Sequence, residues 1–201
     1  KLLRRLKDND RAAAGSLTEI LASIDEDGAS PDMRFALLTS LRSRYEEPPP
    51  ILKLGTIVAE DGDGDTRYWL CVQPVCDSVR LESSRAFPFL KLTVRTANEE
   101  GRFDFVIFDR LHGEYRRLLC SRKAFDMMLF QMDPRENSQS VKAAGEGSSW
   151  LFTRSGDSSP LRWVADLKTD HAYRIVDLFA NEMRRVGLTE SEWLRRMANQ
   201  R

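Results

Sequence analysis

Two periodicities divide the chain. Between Ser16 and Leu41 apolar residues recur at helical spacing. Leu17, Ile20, Leu21 and Ile24 share one face after the S-x-x-E capping pattern of Ser16 and Glu19, and Met33, Leu37, Leu38 and Leu41 form a stripe after Ser30-Pro31. The first set predicts one helix. The second predicts another, opened by a proline at the position where a missing N–H costs nothing. "EEPPP", residues 46–50, ends the helical stretch, because Pro48, Pro49 and Pro50 cannot continue a helix. The expected organisation is a helical segment at 1–50, a linker or cap to an upstream domain, followed by an α+β domain at 51–201.

From Ile51 to about Cys120 the period changes to two. "ILKLGTIVA", the turn "EDGDGD" and "RYWLCVQPV" read as a hairpin, and "AFPFLKLTVR", "FDFVIFD" and "GEYRRLLC" as further strands. "SRKAFDMMLFQMD" returns to helical spacing, with Ser121 as cap and Phe125, Met128, Leu129 and Met132 inward. Residues 133–149, polar and rich in Ser and Gly, predict a long mobile loop. "WLFTR" and "LRWVADL" read as two strands around "SGDSSP". Ala172, Ile175, Val176, Phe179, Met183 and Val186 then carry a helix from Thr169 to Arg185, stopped by Gly187. Thr189 and Glu192 cap a short last helix with Trp193, Leu194 and Met197 on its apolar side. Short strands at close spacing predict an α+β fold: a small bent antiparallel β-sheet or partial barrel, flanked by N-terminal and C-terminal helices.

Composition narrows the class. Lys+Arg and Asp+Glu are both 31, so the formal net charge is zero and no dominant polyanion-binding role is signalled. No run approaches the roughly 18 apolar residues of a membrane span, and "KLLRRLKDND" lacks the apolar core of a signal peptide. Three cysteines suit a reducing compartment, so a cytoplasmic, membrane-free protein is expected. The chain opens at Lys1 instead of a methionine. A longer protein is therefore expected, whose upstream residues could carry the principal activity.

Candidate chemistry is sparse. Cys71 and Cys76 are separated by four intervening residues, and the other thiol or imidazole groups, Cys120, His112 and His171, are solitary, too few for the paired ligands of a zinc site. Alternation puts Trp69, Cys71 and Gln73 on one strand face and Tyr68, Leu70 and Val72 on the other. Cys71 then reads as a small buried hydrophobe, and Cys76-Asp77-Ser78 as a bend after Pro74. "DGDGD" lacks the Gly and Glu of a calcium loop, having Thr66 and Val72 in their places, and reads as a hairpin turn. "FVIFD" has the look of a phosphoacceptor strand, but its neighbours read as antiparallel strands, leaving Asp109 as a strand-end residue. Basic residues at Arg116, Arg117, Arg122 and Lys123, and at Arg184, Arg185, Arg195 and Arg196, alternate with acids, which favours solvated surfaces over a nucleic-acid face. No phosphate loop, dinucleotide fingerprint or metalloprotease motif is present, so no cofactor or metal is expected.

Two stretches, "GTIVAEDGDGDTRYWLCVQPVCDSVRL…FPFL" and "VADLKTDHAYRIVDLFANEMRRVGLTESEWLRR", resemble the C-terminal region of bacterial response-receiver-like proteins of two-component-type conflict (phage-defence) systems. The likeness covers roughly residues 54–92 and 161–197. It implies a non-catalytic regulatory or partner-binding module, relaying a signal from an upstream receiver-like domain to a protein partner such as a histidine-kinase-like ATPase. The residues it brings forward as partner-binding are Gln73, Pro74, Cys76, Asp77, Ser78, Trp193, Leu194 and Arg195. It places no phosphoacceptor on this chain. Two alternatives stand beside it: a cysteine-dependent hydrolase using Cys76 with His112 or His171, and a nucleic-acid-binding domain.

Overall fold

The computed structural model describes residues 30–42, 49–62, 64–96, 102–135, 138–145, 149–156, 159–184, 195 and 197–198. The helix expected after Ser16, and Trp193 and Leu194 of the last one, lie outside them.

Helix α1, Pro31–Thr39, begins as its sequence requires. Ser30 accepts a hydrogen bond from Met33 N at 3.3 Å, and Pro31 and Asp32 fill the first turn. It ends earlier than expected. At Ser40 the chain turns extended and leaves as β1, Ser40–Arg42, so Leu41 belongs to a strand. Strand β9 (Leu161–Leu167) offers β1 an antiparallel partner, and Lys168 N donates to Thr39 O. The buried face is Ala36 and Thr39, whereas Leu37 and Leu38 of the expected stripe are exposed.

The other strands are β2 (Thr56–Asp61), β3 (Thr66–Cys71), β4 (Arg85–Arg95), β5 (Phe105–Asp109), β6 (Glu114–Cys120), β7 (Met127–Met132) and β8 (Leu151–Phe152). They join β1 and β9 in one antiparallel sheet of order β1-β9-β2-β3-β4-β6-β5, with β7 on β4 and β8 on β9. Alternation sorts side chains onto two buried faces. Trp69, Cys71, Phe87 and Phe89 enter one core with Leu52, Trp150 and Phe152. Tyr68, Leu70, Leu90 and Leu92 enter the other with Phe105 and Leu118. Helix α3, Thr169–Met183, covers the second core with Ala172 and Ile175. Its close seat needs Gly55, which has φ 88° and whose Cβ, if present, would stand 3.2 Å from the Ala172 Cβ.

The sheet curls until β5, last in the order, lies with its free edge toward α1, β9 and α3. Side chains close this seam in place of a ladder. Thr39 Oγ1 and Ser40 Oγ each lie 3.4 Å from Val106 O, His171 Nε2 lies 3.2 Å from Asp104 O, and Arg162 reaches Asp109. The architecture is thus the expected α+β arrangement, an open, bent sheet with flanking helices.

Two expected elements are corrected. Residues 121–133 are not a helix: Ala124–Asp126 makes one 3-10 turn and Met127–Met132 is β7. The cause is non-local. Strand β4 has 11 residues, β6 pairs only with Leu92–Arg95, and β7 occupies Arg85–Leu90. Phe130 and Met132 are buried two residues apart, while Phe125, Met128 and Leu129 are exposed. The expected mobile loop is, at residues 138–145, a strap over the first core. Val141 and Ala143 are buried, and Leu52 N donates to Val141 O and Ala143 N to Pro50 O, both at 2.9 Å.

Candidate functional site

Register builds a charged cluster at one end of the seam. Ala59 on β2 pairs with Arg162 on one side and Tyr68 on the other, so all three share the inner face of the curl. The small Ala59 leaves room for its longer neighbours to reach across to Asp109, the last residue of β5. Arg162 is a buried cation inside a strand that is buried along its whole length, so it must be paired.

The pairing is complete. Arg162 Nη1 and Nη2 donate to Asp109 Oδ1 and Oδ2 at 2.9 and 3.2 Å, and Nε and Nη2 donate to Asp61 Oδ2 and Oδ1 at 2.7 and 3.0 Å. Asp109 Oδ2 also accepts from Tyr68 OH at 2.5 Å, and Oδ1 accepts from Leu111 N at 3.1 Å. His112 Nδ1 lies 3.1 Å from Asp109 Oδ2. A carboxylate only accepts, so that nitrogen carries the proton. Thr66 Oγ1 donates to Asp61 Oδ1 at 3.2 Å.

These contacts decide the charge states. Burial alone would push the Asp109 carboxyl up, but the hydrogen bonds of Arg162 and Tyr68 hold it at about 2. Asp61 is lowered mainly by its hydrogen bonds from Arg162. Tyr68 is raised by burial and by its bond to Asp109. Burial opposes the charge on Arg162, but its two carboxylates outweigh that and raise it. The cluster is an ionised clamp whose central carboxylate has five hydrogen-bond contacts. As a strand-end residue Asp109 matches its expectation. Its role as a hub was not legible, although an arginine amid "LRWVADL" is the signal that a buried acid must exist.

A cavity of about 380 Å³ opens above the clamp, lined among others by Tyr68, Thr66, His112 and Arg116. Tyr68 and His112 are engaged with Asp109, Thr66 with Asp61, and Arg116 Nη2 with Glu114 at 3.0 Å, while Arg116 Nε is buried without a hydrogen-bond partner among the described residues.

The residues singled out from sequence lie elsewhere. Pro74 precedes the short helix α2, Val75–Ser78, and accepts at its carbonyl from Asp77 N at 3.1 Å and Ser78 Oγ at 2.9 Å. Gln73 and Ser78 are buried, whereas Pro74, Cys76 and Asp77 are exposed. Arg195 is an exposed helical residue. Cys71 and Cys120 are buried thiols pushed up to about 12 by burial. Cys76 makes no hydrogen bond to either histidine. His112 is held by Asp109, and His171 packs edge-on against Phe105 with Nε2 at Asp104 O. Burial lowers the His171 pKa, so the ring is neutral near pH 7.

Among the described residues no cluster of three His, Cys, Asp or Glu is placed to hold a metal ion. None of their helices is long and apolar enough to cross a membrane. No protein-family model, curated protein or solved structure matches this chain.

Proposed function

We propose that this chain is a non-catalytic, partner-binding regulatory module. The observation that carries the reading is the saturation of its charged cluster. A general base or nucleophile needs a free lone pair facing substrate, and Asp109 spends both oxygens on Arg162, Tyr68, Leu111 and His112. The cysteine-hydrolase reading has less support, because Cys76 is exposed and both imidazoles are engaged elsewhere.

The finer setting rests on the resemblance of residues 54–92 and 161–197 to phage-defence receiver-like proteins. In that setting the module relays a signal from an upstream receiver-like domain, and a histidine-kinase-like ATPase is its protein partner. The test is co-elution of the complete protein with that ATPase, purified separately, on size exclusion. A stable complex is expected. Absence of any complex, together with Cys76-dependent turnover of ester or amide substrates, would replace the reading by the enzyme one.

A further inference from the structure

We infer that β7 is a docking edge for an extended partner segment in which acidic and apolar residues alternate; this rests on the partner-binding reading above. The backbone makes the case first. In an antiparallel ladder, alternate residues direct N–H and C=O toward or away from a given neighbour. Gln131 O accepts from Ser155 N at 2.8 Å, on the side of β7 away from β4. Pro88, opposite Leu129, gives its carbonyl to Val72 N at 3.0 Å, also away from their shared boundary. Leu129 therefore points both backbone groups outward, as does the Met127 carbonyl, while the Met127 N–H returns to Ala124 O. Among the described residues nothing pairs with these outward groups. Farther along, Arg154 and Ser155 close the edge.

Side chains complete the surface. Phe125 is 78% exposed and Leu129 60%, and Met127 and Met128 are exposed beside them. Folded proteins usually guard a free edge with a lysine, a proline or a bulge, and none lies within Met127–Leu129.

Charge selects the occupant. Lys91, next along β4 from Leu90, the cross-strand partner of Met127, is exposed and in no ion pair among the described residues. Lys123 is likewise exposed, with its Nζ 5.5 Å from the Phe125 ring centroid. Of the neighbouring acids, Asp104 is paired with Arg122 at 3.0 Å and accepts from Cys120 N at 2.9 Å, and Asp126 accepts from Ser121 Oγ at 2.6 Å. An apolar strip flanked by free lysines suits carboxylates alternating with apolar side chains. A peptide supplies both donor and acceptor for Leu129, whereas a phosphate backbone supplies no donor for its carbonyl.

The experiment is selection of displayed random peptides of about ten residues against the intact chain, a length near that of a strand and its flanks. Enriched sequences are then labelled and titrated by fluorescence anisotropy. Alternating acidic–apolar peptides are expected, with affinity falling as salt rises from roughly 50 to roughly 200 mM. Leu129→Pro, which removes the outward N–H, should weaken them by about tenfold or more. The double variant Lys91→Glu/Lys123→Glu changes only exposed groups and decides the matter if Leu129→Pro fails to fold; a loss of about fivefold or more is expected. No enrichment, or binding by the folded variants within about twofold of wild type, would overturn the inference. So would concentration-dependent dimers lost in Leu129→Pro, or nucleic-acid retention without peptide binding. If these variants hold the kinase-like ATPase as wild type does, the edge assignment fails and the partner-binding reading stands. If wild type binds neither peptide nor protein, both fail.

Discussion

Arg162 Nη1 stands 2.9 Å from Asp109 Oδ1, across the seam where β9 faces β5 without a ladder. The pair joins residues 53 apart in sequence and closes the curl that side chains alone hold. Removing one member of a buried pair strands the other, at a cost of roughly 3–5 kcal/mol. Asp109→Ala and Arg162→Met should each lose about that much in urea unfolding, and the double variant about as much as either single one. Additive losses would show that the two residues act separately.

Acid should open the same clamp. Asp109 is held at about 2 against an ordinary value of 3.8, a depressed folded pKa. Its contribution is therefore complete above the unfolded value and lost as pH falls through the folded one, between about pH 4 and about pH 2. The shift corresponds to roughly 2 kcal/mol. Asp61, also lowered, adds in the same direction. Urea midpoints of wild type should fall over this window by more than those of Asp109→Asn. Parallel curves would contradict the ionised clamp.

The sequence was informative where a local pattern settles the outcome. Trp69 and Cys71 against Tyr68 and Leu70 is an alternation any reader can see, and both faces are buried as it requires. The stripe from Ala172 to Met183 is helical as spaced. Phe125, Met128, Leu129 and Met132 failed because a short apolar run satisfies either period, and the tie was broken by the unpaired half of β4, some 40 residues earlier. Leu41 failed likewise: β9, far along the chain, turns Ser40–Arg42 into a strand. The clamp was hidden for the same reason. Arg162 announces a buried acid but not which one, and Asp61 and Asp109 become its partners only once the sheet has curled.

Cysteine accessibility separates the module from a hydrolase. Cys71 and Cys120 are buried and pushed up to about 12, and Cys76 is exposed. Alkylation of the native chain should modify Cys76 alone, the other two reacting only in denaturant. His112→Ala and His171→Ala should leave the Cys76 rate within about twofold of wild type. A marked slowing in either variant would place that imidazole beside the thiol and favour the enzyme.

The docking edge is tested most directly by residue-resolved amide hydrogen exchange at Leu129, free and with a selected acidic–apolar peptide bound. Met128 and Phe130 direct their N–H groups toward β4, and Leu129 directs its own outward. The expected result is a fast Leu129 amide between two protected neighbours, slowed by about tenfold or more when the peptide binds. A Leu129 amide protected in the free chain, or one still fast in the complex, would contradict docking at β7.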